Sequence, residues 1–138
     1  MPELVKIADE IYDLAEPGME EVRSAGLLTD YLEKMGFQVE KGIAGLPTAF
    51  RAVYEQGQGG PSFGLLAEYD ALKDIGHACG HNLIGTSGAG AGCDIKRNHG
   101  KIRDRRNLKV LGTPAEENGS GKITMLDEGI FDDVDMAL

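Results

Sequence analysis

Apolar residues recur at helical spacing through the first third of the chain. Leu4, Ile7, Ala8, Ile11 and Leu14 share one face and Lys6, Asp9, Glu10 and Asp13 the other, which predicts an amphipathic helix ended by Glu16-Pro17-Gly18. A second is predicted from about Glu20 to Met35, with Val22, Leu27, Leu28, Tyr31, Leu32 and Met35 inward and Gly36 as its stop. The period then changes. Phe37 to Glu40 and Thr48 to Glu55 alternate as strands do, and Gln56 to Pro61 reads as a turn. Ser62 to Ala67 follows as a short apolar run of the kind a buried central strand shows, and polar groups begin abruptly at Glu68-Tyr69-Asp70. Asn82 is placed to cap a helix, Leu108 to Gly112 reads as another buried strand, and Thr113 to Glu117 is the loop beyond it. Lys122 to Glu128 predicts a short helix stopped by Gly129. Helices and strands in this order predict an α/β fold, and in open α/β sheets function lies at strand ends.

Composition narrows the function classes. The 138 residues suffice for one domain with a real core. A net charge of -9 opposes a general role on nucleic acid or an anionic membrane. No apolar window of about 18 residues is present, and Met1-Pro2-Glu3-Leu4 lacks the pattern of a secretory signal, so a cytoplasmic protein is expected. Phe131 to Leu138 reads as entry into an apolar strand, which predicts that the sequence is a piece of a longer one. Cys79 and Cys93 do not suggest a disulfide scaffold. Gly119-Ser120-Gly121-Lys122 fails as a phosphate loop, because Glu116 stands where glycine is needed and Ile123 follows the lysine. The glycines at 85, 88, 90 and 92 miss the dinucleotide spacing.

The chemistry concentrates in two predicted loops. His77-Ala78-Cys79-Gly80-His81 offers a thiolate and an imidazole two residues apart, able to face one ion across a tight glycine turn. Asp70, at a strand end, could fix a histidine tautomer or ligate directly. Adjacent Glu116 and Glu117 diverge in an extended loop, so one can bind metal while the other faces substrate. That division suits hydrolysis by metal-activated water with a free carboxylate as base. Each element also has a plainer reading. A single cysteine or histidine is more often packing than ligand, a Glu-Glu pair can open a helix, and Asp70 can cap a turn. For His77, packing or a hydrogen bond to a ligand competes evenly with direct ligation. His99 and Cys93 have no identifiable partners.

Three ordered blocks carry a resemblance. Glu68-Tyr69-Asp70-Ala71-Leu72, Gly76-His77-Ala78-Cys79-Gly80-His81-Asn82 and Gly112-Thr113-Pro114-Ala115-Glu116-Glu117 resemble the signature blocks of the M20 metallopeptidase and amidohydrolase family. The branch is that of aminobenzoyl-glutamate hydrolases, auxin-conjugate hydrolases and dipeptidases, and similarity runs from the first helix to Phe131-Asp132-Asp133-Val134-Asp135. The resemblance implies a mixed sheet flanked by helices, the front half of a zinc-peptidase-like catalytic domain. It further implies that residues 1–138 form a single partial catalytic domain, the dimerisation insert and C-terminal catalytic half lying outside it. By the same resemblance Cys79, His81 and Glu117 are metal ligands and Glu116 is the general base. Two divalent ions, manganese or zinc, serve each complete site, the substrate is a small-molecule amide, and a complete protein is a homodimer.

Two segments depart from the family pattern. Lys73-Asp74 replaces a Pro-Gly before the His-Cys-His loop. Ser87 to Arg106 is glycine-rich and then basic where relatives carry an alanine-rich helix, and each interior glycine costs a helix about 1 kcal/mol relative to alanine. The expectation is a weakened support for the metal loop. Lys96, Arg97, Lys101, Arg103, Arg105 and Arg106 are six of 14 Lys and Arg residues, enough for a local phosphate-binding patch, yet no aromatic platform accompanies them. A non-catalytic remnant of such a hydrolase is the remaining alternative.

Overall fold

The computed structural model describes residues 2–56, 59–98 and 106–138. Helix α1 (Pro2–Leu14) buries Ile7, Ala8 and Ile11 as its periodicity requires. Helix α2 (Val22–Lys34) buries Ala25, Leu28, Tyr31 and Leu32. Val22, expected inward, is 66% exposed, while Ser24 and Ala25 of the same first turn are buried. Strands β1 (Gln38–Lys41), β2 (Phe50–Gln56), β3 (Ser62–Ala67), β4 (Arg106–Gly112) and β5 (Met136–Ala137) form a mixed sheet in the order β1-β2-β4-β3-β5. Pairings β1/β2 and β2/β4 are antiparallel, and β3 runs parallel to β4 and β5. Helix α3 (His81–Asn98) links β3 to β4, as parallel neighbours need a crossover, and α4 (Gly121–Asp127) follows β4.

Strand alternation divides the apolar residues between two faces. Leu65, Ala67, Leu108 and Val110 join a core with Ile7, Ile11, Leu28, Leu32 and Ala89 from α1, α2 and α3. Leu111 and Leu66 face the other way, toward Ile43, Leu46, Met125 of α4 and Phe131. The sheet is therefore covered by helices on both faces, the α/β arrangement expected.

The glycines of the glycine-rich segment have a packing role. Residues 87–98 of the segment are helical, within α3 (His81–Asn98). A Cβ at Gly85 would stand 2.6 Å from the Glu68 carbonyl oxygen, one at Gly88 2.8 Å from that of Leu66, and one at Gly92 2.7 Å from Val110. Gly90 meets Leu4 of α1 in the same way, at 2.8 Å. The propensity lost at these glycines is offset by a helix seated directly on the β3 backbone. Asn82 does not cap α3 from outside. It lies in the first turn, and its Nδ2 donates to the Ala8 carbonyl at 3.2 Å, tying α3 to α1.

Of the basic stretch, Lys101, Arg103 and Arg105 lie outside the described residues. Lys96 is committed to packing: its ammonium donates to the Met35 and Gly36 carbonyls at 2.5 and 2.8 Å and lies over the Tyr54 ring at 4.5 Å. Among the described residues, no helix is long and apolar enough to cross a membrane.

Candidate metal centre

Parallel register brings the two predicted loops to the same edge of the sheet. Ala67 pairs with Gly112, and the Thr113 N–H donates to the Ala67 carbonyl at 2.8 Å, so the segments after β3 and β4 leave side by side. Beyond β3, Tyr69 is fully buried, stacked on Phe50 at 5.8 Å, with its hydroxyl donating to the Thr48 carbonyl at 2.6 Å. That anchor fixes the backbone between Glu68 and Asp70, both of which reach the imidazole of His81.

His81 opens α3 and is 4% exposed. Its Nδ1 lies 3.0 Å from both the Asp70 carbonyl and Asp70 Oδ1. A proton on Nδ1 satisfies that pair, and Nε2 points toward the carboxylates of the two loops. Around Nε2 stand Glu68 Oε2 at 3.3 Å, Glu117 Oε1 at 3.7 Å and Glu116 Oε2 at 3.9 Å. The other Asp70 oxygen accepts the Glu117 N–H at 3.1 Å. One buried carboxylate thus orients the imidazole and pins the loop bearing the acidic pair.

Among the described residues, His81, Glu116 and Glu117 offer ligand atoms within 4.8 Å of one another. Cys79 is exposed and hydrogen-bonded through its thiol to Glu117. That bond, then desolvation and the charges of Glu117, Glu116 and Asp70, push the thiol above its ordinary pKa. Carboxylates hold the proton on sulfur; a divalent cation among them would neutralise their charge and favour the thiolate. The two glutamates and the imidazole of His81 fit such an ion, and Cys79 stands outside that group of three, beside Glu117. His77 faces elsewhere. Its Nε2 donates to the Ile11 carbonyl at 3.0 Å and its ring stacks on Tyr12 at 6.3 Å, placing it against α1. Burial pushes its pKa down, and Nδ1 has no hydrogen-bond partner among the described residues.

Two site residues were not singled out from the sequence. Glu68 reaches His81, and its other oxygen pairs with Lys122, whose ammonium also lies 3.8 Å from Glu116 Oε1. Spacing of two from Asp70 could have flagged Glu68. Lys122 could not be found by spacing, since only the turn into α4 brings it back.

Comparison with known proteins decides the family. A subunit of the p-aminobenzoyl-glutamate hydrolase of Escherichia coli is 40% identical, the match covering 96% of this chain and 31% of that protein. The Xaa-Arg dipeptidase of Mus musculus is 39% identical over 91% of this chain and 32% of its own length. The chain belongs to the M20 metallopeptidase and amidohydrolase family. It spans about a third of the length of these curated relatives. A Bacillus subtilis structure described as a dinuclear metal-binding peptidase of the M20 family superposes with a TM-score of 0.79 at 21% identity, covering 99% of this chain and 42% of that one, which supports the fold. No family model matches the sequence.

Proposed function

We propose that the complete M20 protein hydrolyses an amide bond in an N-acyl amino acid, a dipeptide or an aminobenzoyl-glutamate-like substrate, with divalent metal at the centre described above. The observation that carries this reading is the convergence of His81, Glu116 and Glu117 within 4.8 Å beside an Asp70-oriented imidazole. Cys79, His81 and Glu117 would hold the ion. When bound, it supplies Lewis acidity toward the amide carbonyl and lowers the pKa of water. The names of the relatives, a hydrolase and a dipeptidase, agree with that chemistry.

Glu116 is the general base in this scheme. It is the more open of the two glutamates, with a side chain 40% exposed against 23% for Glu117, so it can meet substrate. Its carboxylate takes a proton from water and returns it to the leaving nitrogen. Lys122 holds Glu68 and stands near Glu116, offsetting part of the acidic charge when no cation is present. The mixed sulfur, nitrogen and oxygen donors suit manganese or zinc. Two free thiols suit a reducing cytoplasm. We further propose that the complete protein is a homodimer and that residues 1–138 alone turn over little or nothing, since so small a ligand set holds an ion weakly.

The test is made in the complete protein. Glu116→Gln should abolish turnover while metal content stays at the wild-type level, whereas Cys79→Ser and His81→Ala should lose metal as well. Wild-type turnover by Glu116→Gln would refute the mechanism.

A further inference from the structure

We infer that Glu21 is a positioning residue for the Glu116–Glu117 loop, acting through the Ala115 N–H. The inference rests on the reading of Glu116 and Glu117 as the carboxylates of the site. Glu21 is 0% exposed, among the most deeply buried acids of the described residues. One oxygen accepts the Ala115 N–H at 2.7 Å and the other accepts the Thr48 hydroxyl at 3.0 Å. A carboxylate is buried at such cost only where hydrogen bonds offset its desolvation.

An ordinary capping role does not account for it. Glu21 occupies the N-cap position of α2, yet its side chain makes no capping bond. Glu16 does that work, accepting the Arg23 N–H at 3.1 Å and the Ser24 N–H at 2.8 Å. The Glu21 carboxyl reaches the loop after β4 and also accepts hydrogen bonds from its own backbone and that of Met19.

What it holds there is strained. Ala115 has φ 54°, in the left-handed region that a residue with a Cβ adopts only when its surroundings compel it. A Cβ on Gly18 would stand 2.9 Å from the Ala115 Cα, so the turn between α1 and α2 packs directly on this residue. The same turn reaches the other site loop, because the Ala71 N–H donates to the Glu16 carbonyl at 2.8 Å. Glu21 and Asp70 accept the N–H groups of Ala115 and Glu117, the two residues flanking Glu116. The backbone on either side of Glu116 is thereby fixed by a buried carboxylate, and the direction of its side chain follows.

The experiment compares wild type, Glu21→Gln and Glu21→Leu in the 138-residue chain. Phe37→Leu serves as a control, removing core volume beside Tyr54 at the other end of the strands. Backbone amide exchange is read by NMR and zinc affinity by calorimetric titration. Glu21→Leu should speed exchange of the Ala115 amide about tenfold relative to Val110 of β4, and Glu21→Gln, which keeps a neutral acceptor, by roughly threefold. Zinc affinity should fall about tenfold in Glu21→Leu and stay unchanged in Phe37→Leu, a contrast that general loss of stability would not produce. Unchanged Ala115 exchange in Glu21→Gln would overturn the inference, and so would wild-type zinc affinity in a folded Glu21→Leu. Should Glu21→Leu fail to fold, Glu21→Gln decides alone. If the wild-type 138-residue chain binds no zinc, the amide readout alone decides whether Glu21 sets the loop.

Discussion

The seam between α3 and β3 and the loops beyond β3 and β4 share two residues, Glu68 and His81, and differ in what holds them. In the seam, Gly85 and Gly88 carry no side chain, and the helix lies against the Glu68 and Leu66 carbonyls at distances no Cβ would allow. In the loops, Asp70 and Glu21 supply carboxyl acceptors to the N–H groups of Glu117 and Ala115. The seam should therefore respond to volume and the loops to the loss of an acceptor. His81 belongs to both, since the helix that seats it is placed by glycines while its ring is turned by Asp70.

Substitution in the seam should have the largest effect. Gly85→Val puts branched carbon where 2.6 Å is available, and overpacking together with the displaced helix should cost about 3 kcal/mol in urea unfolding. A loss under about 1 kcal/mol would show that the helix can lift from the sheet freely. Asp70→Ala comes next. It leaves the His81 Nδ1–H and the Glu117 N–H without their carboxylate and should cost about 2 to 3 kcal/mol, with the Glu117 amide losing exchange protection. Retained protection there would detach Asp70 from the loop.

Smaller effects sharpen the contrast. Burial holds His77 below its ordinary pKa, so the unfolded chain binds that proton more tightly than the folded one. Its contribution to stability is present above the ordinary histidine value and is lost as pH falls through that value toward the folded one. His77→Gln should flatten part of the decline in melting temperature between about pH 7 and pH 5, and superimposable profiles would contradict this. Gly26→Ala is the mildest change. A Cβ at Gly26 of α2 meets nothing within 4 Å, so the substitution should raise stability by about 0.5 to 1 kcal/mol, the reverse of the seam glycines.

Much of this molecule is legible along the chain. Ser62 to Ala67 is readable as a buried strand to the residue, because an apolar run bounded by a turn and by Glu68 admits little else. Cys79, His81, Glu116 and Glu117 are readable as candidates because ligand-type side chains cluster in two short loops, each with a plainer reading taken singly. Glu21 is hidden, since an acid beside a helix start looks solvated until a loop more than ninety positions away closes over it. The role of the glycines from Gly85 to Gly92 is hidden for a related reason: propensity counts what a glycine loses in an isolated helix and takes no account of what its missing Cβ permits against a neighbouring strand.

The order of elements, the apolar faces and the presence of ligand-type side chains followed from local pattern, because period and residue chemistry are properties of adjacent positions. The parallel register of β3 and β4, the choice of Asp70 as the partner of His81, and the burial of Glu21 were decided by tertiary structure. The register and the burial of Glu21 depend on distances between segments far apart in the chain, and the Asp70–His81 contact on how eleven residues fold back from the strand end to the start of α3; those distances exist only once the sheet and its helices have packed together.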